Sequence, residues 1–510
     1  MALLGKIIKK AIDVSGQIVE NSQTPAELQE MKLKELIEKA RYTAFGKHYH
    51  FEQLLKSESI VEDFRKMVPT FDYNRMKDAW WQRTIDGESD ISWPGVPEYF
   101  ALSSGTTGSE SKKIPVTEEM IDAIRETGIQ QILSLSEHQL PDEFFEKQIL
   151  MLGSSTDLKE VGGHYEGEIS GISASNIPFW FRGYYKPGED IASIDDWDER
   201  VLAIAKQAPN WDIGAISGIP SWIELMLQKV VEYNKAKSIH DIWPNLAVYN
   251  SGGVAFEPYR ASFDALTTKP MLYLDTYLAS EGFMAFQSRP NEEMAMQISY
   301  DSGIYFEFIP FEEEYFDEHG SPLPDAPALS LHEVEEGKDY AMLISTVSGT
   351  WRYSIGDTIE FTDLEKAEIK ITGRTKHFLN VVGSQLSVSK MNEAVQDLEG
   401  KFGLKIPEFT VGAIKVDGDF HHQWFLGLTE QAEVSEDEMA QALDDILKAK
   451  NKNYKVARSK ALKGIHVSLV KAEDFHAWNA QKKQKGGQVK TPRMMDEESL
   501  KQFEQFVKTK

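Results

Sequence analysis

The 510-residue chain contains no cysteine. That excludes disulfides, thiolate catalysis, a thioester carried on the protein itself and cysteine-ligated metals. It fits a reducing, cytoplasmic compartment. Long apolar runs are also missing. No stretch approaches the roughly 20 consecutive apolar residues of a membrane span, and mean hydropathy is -0.40. Positive charge is scarce: 55 Lys and Arg face 81 Asp and Glu, a net charge of -26. Such a surface repels nucleic acid and anionic membranes, so neither is expected as a partner, and any local positive cluster becomes informative. At the N-terminus, Leu4, Ile7, Ile8 and Ile12 recur at helical spacing with lysines among them. This reads as an amphipathic helix packed on the body rather than a signal peptide, with membrane-surface contact as the alternative.

What is present suits a soluble globular protein of two to four domains. Hydrophobic residues make up 41% and include 11 Trp, enough for a sizeable core. Apolar runs predict buried strands at Glu98–Leu102, Lys113–Val116, Gln148–Leu152, Leu246–Tyr249, Met271–Leu274 and Ala341–Val347. Helices are expected over Glu118–Leu135, capped by Thr117, and over Asp195–Gln207 and Ser221–Ala236. Alternating strands and helices predict an α/β architecture of helix-covered sheets. The pattern changes after Gly373-Arg374-Thr375-Lys376. Strands near Val411–Val416, Gln423–Leu428 and Ile465–Val470 follow, with a helix opened by the capping box Ser435-Glu436-Asp437-Glu438 and a last helix over Asp496–Val507. We therefore expect a large domain over 1–375 and a small α+β domain over 376–510.

Several loops carry residues suited to chemistry. Ser103-Ser104-Gly105-Thr106-Thr107-Gly108 lies between two predicted strands and is rich in hydroxyl and backbone N–H donors, which suits an anion. It is no P-loop: the Gly-Lys-Ser/Thr is missing and a strand follows instead of a helix. An ordinary polar hairpin turn has the same composition. Asn250-Ser251-Gly252-Gly253-Val254 ends a strand with glycines against which a flat base could lie, or simply turns the chain. In Asp275-Thr276-Tyr277-Leu278-Ala279-Ser280-Glu281-Gly282, a carboxylate past a strand end suits Mg²⁺ and a tyrosine suits a base, although a solvated loop glutamate is the ordinary case. Asp357, in Tyr353-Ser354-Ile355-Gly356-Asp357, reads as an acid in a Gly-Asp turn, able to accept two ribose hydroxyls or present only for the turn. Lys490 follows a glycine pair in an otherwise basic stretch near the C-terminus.

Taken in order, these segments resemble the adenylate-forming superfamily of acyl-CoA synthetases, luciferases and peptide-synthetase adenylation domains. Tyr99-Phe100 before the hydroxyl-rich loop, Lys113-Ile114-Pro115-Val116-Thr117 after it, Gly252-Gly253-Val254-Ala255-Phe256-Glu257-Pro258-Tyr259-Arg260 and Lys490-Thr491-Pro492-Arg493 are similar to the Gretchen Hagen-type, or auxin-responsive promoter, acyl acid–amido synthetases. The resemblance runs from about Arg41 to Arg493. It implies a small C-terminal domain that swings between two half-reactions. By the same resemblance, Ser103, Ser104, Gly105, Thr106 and Thr107 contact ATP phosphates, with Thr106 also catalytic. Gly252, Gly253 and Val254 flank the adenine near Tyr277, Glu281 binds Mg²⁺ and supports catalysis, Asp357 holds the ribose and Arg374 the nucleotide. Lys376 is the pivot and Lys490 the catalytic lysine. Where plant members carry Ser-Ser-Glu-Cys this chain has Ala279-Ser280-Glu281-Gly282, and it is shorter than they are, so their substrates do not carry over.

The implied chemistry joins two anions, a carboxylate and ATP, so its main task is charge neutralisation. Mg²⁺, the 103–107 donors and Lys490 would share it, and Lys482, Lys483, Lys485, Lys490 and Arg493 form a positive cluster in an acidic chain. An amine acceptor, an amino acid, then takes the acyl group from the acyl-adenylate. Coenzyme A as acceptor, or a non-catalytic nucleotide-binding scaffold, are the alternatives. No general base is assigned: His164, His377, His421 and His422 suit structural roles as well. Trp180, Phe181, Trp222 and Phe283 are aromatic candidates for an acid pocket. The sequence sets no oligomeric state.

Overall fold

The computed structural model describes residues 23–103, 111–138, 140–178, 181–253, 256, 259–291, 293–317, 320–375, 386, 388–416, 419–430, 432–460, 462–481, 491–495 and 497–509. The predicted helix around Leu4–Ile12 lies outside them. The chain divides into two compact units, one holding the chain to Phe256 and Ser262–Lys370, the other holding Glu257–Ala261 and most of the chain from Ile371.

In the first unit, helix α1 (Pro25–Ala40) opens with a capping box. The Thr24 hydroxyl accepts from the Glu27 N–H while the Glu27 carboxylate accepts from the Thr24 N–H, satisfying two end donors at once. It buries Leu33, Leu36, Ile37 and Ala40, the i, i+3, i+4, i+7 stripe of a core-facing helix. Strands β1 (Tyr99–Ser103) and β2 (Lys112–Val116) form an antiparallel hairpin. Thr117 then caps α2 (Glu118–Ser134), as its sequence predicts, accepting from the Met120 N–H at 3.2 Å. Next come β3 (Gln148–Leu152), β4 (Lys159–Val161), β5 (His164–Gly167) and β6 (Tyr185–Lys186). β4 and β5 join the hairpin in a sheet ordered β2-β1-β5-β4.

Helix α3 (Trp197–Gln207), β7 (Ile213–Gly218), α4 (Pro220–Tyr233), β8 (Val248–Gly252) and β9 (Leu272–Ala279) continue the chain. β6, β3, β7, β8 and β9 lie side by side and parallel, the arrangement that strand–helix–strand connections produce. β10 (Gly282–Phe286), β11 (Met296–Ile298), β12 (Ile304–Pro310), β13 (Asp339–Thr346), β14 (Tyr353–Asp363) and β15 (Glu368–Arg374) extend this to eleven strands among the described residues, ordered β12-β13-β14-β15-β11-β10-β9-β8-β7-β3-β6. The core beneath α1 is aromatic: Trp81, Trp351, Tyr305 and Tyr353 are almost fully buried, and Phe45 stacks on Trp351 at 5.5 Å.

The second unit contains α5 (Val388–Phe402), β16 (Glu408–Val416), β17 (Asp419–Leu428), α6 (Glu436–Lys450), α7 (Lys452–Lys460), β18 (Leu462–Lys471), α8 (Ala472–Gln481) and α9 (Glu497–Lys508). Its sheet is ordered β16-β17-β18, and the Ser435–Glu438 capping box forms at the start of α6. A short segment around Met494 pairs beside β16: the Val411 N–H donates to the Arg493 carbonyl at 3.0 Å and the Met495 N–H to the Val411 carbonyl at 2.9 Å. The predicted class, an α/β body of helix-covered sheets followed by a smaller α+β unit, is the one observed.

Two local expectations are corrected. β9 does not stop at Leu274 but runs through Asp275 to Ala279, because Thr276, Tyr277 and Leu278 are good strand formers and one acid does not break a ladder held by the backbone. Gly356-Asp357 is no turn; it lies inside β14.

Candidate active site

Ligands of open α/β sheets collect at the carboxyl ends of parallel strands. β8 and β9 place Ser251 opposite Asp275 and Gly252 opposite Thr276. A Cβ on Gly252 would lie 3.0 Å from Thr276 Oγ1, whose hydroxyl donates to the Ser251 carbonyl at 2.8 Å. Gly253 has φ +85°, where a side chain is disfavoured. Neither glycine carries a side chain, so the strand end presents bare backbone.

Beside it, Tyr277 and Asp357 are brought together. The Tyr277 phenol donates to Asp357 Oδ2, and the two residues are 6% and 7% exposed. A bulge in β14 delivers the acid. Ala341 pairs with Thr358 and Leu343 with Ser354, so Ile355, Gly356 and Asp357 share the space opposite one residue, and Gly356 takes φ +86°. Such bulges re-aim a side chain out of the regular alternation. The phenol holds one carboxylate oxygen and so orients the carboxylate.

Glu281 occupies the tight turn between β9 and β10, where Ala279 pairs with Gly282. It is not the solvated loop residue of the ordinary case, being 9% exposed. Burial, then the Glu281 charge and hydrogen bond, push the Tyr353 phenol well above its usual pKa, with Tyr73 and Asp72 adding to the effect. Tyr73 in turn accepts from the Lys113 N–H at 2.9 Å. Tyr73 thus meets the base of the loop between β1 and β2, where Ser103 pairs with Lys112.

That base is braced by charge. Lys113 Nζ lies 2.5 Å from Glu166, and His164 Nε2 lies 3.0 Å from the same oxygen. Burial pushes the Glu166 pKa up, but the bonds to Lys113 and His164 outweigh it and hold the carboxyl below its usual range.

Of the remaining expected residues, Ser104, Gly105, Thr106, Thr107, Val254, Lys376 and Lys490 lie outside the described residues, as do His377, Trp180, Lys482, Lys483 and Lys485. Arg374 is the exposed last residue of β15. Arg493 does not add an open positive charge: its guanidinium is 2.9 Å from Glu408, which also accepts from the Tyr259 phenol at 2.6 Å. His422 is fully buried, and His421 Nδ1 pairs with His466 at 3.0 Å. Trp222 packs edge-on against Trp197 at 4.7 Å and Phe283 belongs to the core; of the aromatic candidates, Phe181 borders a cavity. Sequence reasoning missed Thr276 and Tyr353, although Tyr353 opens the Tyr-x-x-Gly-Asp pattern. Among the described residues no three His, Asp or Glu are grouped to hold a metal.

Comparison with known proteins is consistent across the chain. The GH3 family N-terminal domain matches residues 14–208, the central domain 297–374 and the C-terminal domain 389–499. The indole-3-acetic acid-amido synthetase GH3.2 of Arabidopsis thaliana is 22% identical over 86% of this chain and 92% of its own length. The jasmonoyl–L-amino acid synthetase JAR6 of Nicotiana attenuata is 22% identical over 93% and 92%. The match to the Arabidopsis thaliana synthetase GH3.3, 25% identical, spans 46% of this chain and 41% of that protein. The structure of the GH3.15 acyl acid amido synthetase superposes with a TM-score of 0.77 at 16% identity, covering 98% of this chain and 96% of that one. A 2-hydroxyisobutyryl-CoA ligase follows the same fold at 0.58 and 12%, covering 95% and 92%. With all three of its domains matched in order over most of the chain, the protein belongs to the GH3 family.

Proposed function

We propose that this chain activates a carboxylic acid with ATP as an acyl-adenylate and passes the acyl group to an amine, an amino acid. The observation that carries this reading is the Tyr277–Asp357 pair beside the bare strand end at Gly252-Gly253, a fit for a nucleoside: flat backbone for the base, an oriented carboxylate for vicinal hydroxyls. Membership of a family with amido synthetases acting on indole-3-acetic acid and forming jasmonoyl–amino acid conjugates supports it.

In this reading Gly252, Gly253 and Val254 flank the adenine beside Tyr277, and Asp357 takes the ribose hydroxyls. Ser103, Ser104, Gly105, Thr106 and Thr107 hold the phosphates, and Arg374 contributes to the nucleotide. Mg²⁺ would be held by Glu281, supplying charge neutralisation at the phosphates; a single carboxylate suits Mg²⁺, which takes further oxygens from phosphate and water. The functional domains are residues 1–375 and 376–510, with Lys376 as pivot and Lys490 as the point charge brought to the reaction. A substrate carboxylate oxygen attacks the α-phosphorus as the bond to the β-phosphate breaks and pyrophosphate leaves. The amine nitrogen then attacks the acyl carbon, loses its proton and displaces AMP. No protein-bound intermediate is formed, in keeping with a chain without cysteine. The reaction belongs in the cytoplasm, where ATP and free amino acids meet.

The test is ATP–pyrophosphate exchange across a panel of aryl and aliphatic acids, with hydroxylamine trapping of the adenylate. Amino acids and coenzyme A are then offered separately. Amide formation is expected; thioester as the sole product would assign coenzyme A as the acceptor instead.

A further inference from the structure

The first unit holds a cavity on one face of the parallel strands. It is about 50 Å³, room for several water-sized groups where one needs roughly 10–15 Å³. Ile149 of β3, Ala215 of β7, Asn250 of β8, Gln131 of α2, Phe144 and Phe181 are among the residues that line it. The packing around it is apolar: Leu135, Phe144, Ala215, Val248 and Leu274 form one buried cluster.

Two polar atoms interrupt this lining. Gln131 Nε2 and Asn250 Oδ1 are both buried and have no hydrogen-bond partner among the described residues. Buried polar atoms are nearly always paired, and leaving one unpaired is costly. Lys147 also borders the cavity, but its ammonium lies 2.8 Å from the Asp212 carboxylate. The Gln148 side chain there accepts from the Asp212 N–H at 3.1 Å. Lys147 thus offers no open cation to an anionic ligand. Asn250 precedes Gly252 by two residues on the same face of the strand, roughly 6–7 Å along it. An acid lying here would direct its carboxylate toward the strand end and leave its body among the apolar walls.

We propose that this cavity receives the body of the acid substrate, and that the substrate is a compact hydroxylated acid, its hydroxyl accepting from Gln131 and donating to Asn250. The proposal rests on the acid-activating reading given above. A hydroxyl is the simplest group that both accepts and donates. It also serves either orientation of the two side-chain amides, whose nitrogen and oxygen ends are assigned from their surroundings. A site built to bond a hydroxyl discriminates strongly against the analogue that lacks it, because the analogue leaves buried polar groups unpaired.

The test measures ATP–pyrophosphate exchange by the full-length protein with matched acids. These are 3- and 4-hydroxyphenylacetate against phenylacetate, and 5-hydroxypentanoate against pentanoate. In at least one pair the hydroxylated acid is expected to exceed its partner roughly tenfold or more in kcat/KM. Gln131→Leu should abolish or reverse that preference while leaving the KM for ATP unchanged; Gln131→Met, of similar length, serves if the leucine variant does not fold. Equal rates in all three comparisons, or a preference untouched by either substitution, overturn the proposal alone. Absence of exchange with every acid overturns the acid-activating reading and the proposal with it.

Discussion

At the scale of single residues, the geometry of Asp357 depends on Tyr277, and the two should be separable by measurement. Asp357→Ala removes the acceptor, and ATP affinity measured by calorimetry should fall roughly tenfold or more. Tyr277→Phe keeps the ring but frees the carboxylate; a loss of about 1 kcal/mol, or roughly fivefold, is expected. Equal affinities in wild type and Asp357→Ala would remove the acid from the ribose site. A second residue-scale prediction concerns His422. Burial, reinforced by the Arg458 charge and by His421 and opposed by Asp444, lowers its pKa from 6.5 to about 3. Between pH 6.5 and about 3 the unfolded chain binds a proton that the folded chain refuses, so stability falls as pH falls through this window. The loss is on the order of 5 kcal/mol when complete. His422→Phe removes the titration, and its acid unfolding midpoint, followed by tryptophan fluorescence, should shift to lower pH. An unchanged midpoint would show that other groups govern acid unfolding. Asp444 is one such group: burial raises its pKa, but bonds from Arg458, Lys448 and Tyr454 prevail and hold it at about 2.

At the scale of elements, the β1–β2 hairpin is paired along its length and braced by charge near its loop. Glu166 on β5 reaches across β1 to Lys113 on β2, fixing the strand that leaves the hydroxyl-rich loop. Glu166→Ala leaves the partly buried Lys113 ammonium without its carboxylate, so the KM for ATP should rise severalfold while the thermal midpoint drops only a few degrees. A collapse of the fold with an unchanged KM in the surviving fraction would make the contact purely structural. The hairpin strands, the Thr117 cap and both halves of the Ser435 capping box were legible in the sequence, because each rests on local chemistry that a few neighbouring residues specify. The extent of β9 was not, since Asp275 interrupts the apolar run while the backbone ladder to β8 continues. Nor was the β14 bulge: Gly356 signalled a special backbone conformation but not whether a turn or a strand irregularity used it. The order of the glycine-rich strand end, Glu281 and Asp357 was readable; their convergence was not, because the Tyr277–Asp357 bond joins residues 80 apart, and the Glu281–Tyr353 contact likewise needs the sheet.

At the scale of the whole molecule, the sheet architecture persists at 16% sequence identity with a TM-score of 0.77, as expected when pattern and volume rather than residue identity determine a core. In a chain with a net charge of -26, the proposed role of Lys490 can be tested directly. Lys490→Ala should lower ATP–pyrophosphate exchange by orders of magnitude with ATP affinity retained, and unchanged exchange would refute the role given to that lysine. The segment after it has a consequence for tolerated chain length. Thr491 bonds to Asn479 of α8 at 3.2 Å, and Arg493 and Met495 pair with Val411, so the residues between Gln481 and Thr491 connect two points already fixed. Lengthening a connection between fixed points costs little, about 0.6 kcal/mol for a doubling. Two glycines inserted between Gly486 and Gly487 should therefore leave exchange within severalfold of wild type. The same two inserted between Lys490 and Thr491 separate the lysine from its anchor and should abolish it. If Lys490 acts as proposed, the stretch before it should tolerate changes of length and the single peptide bond after it should not.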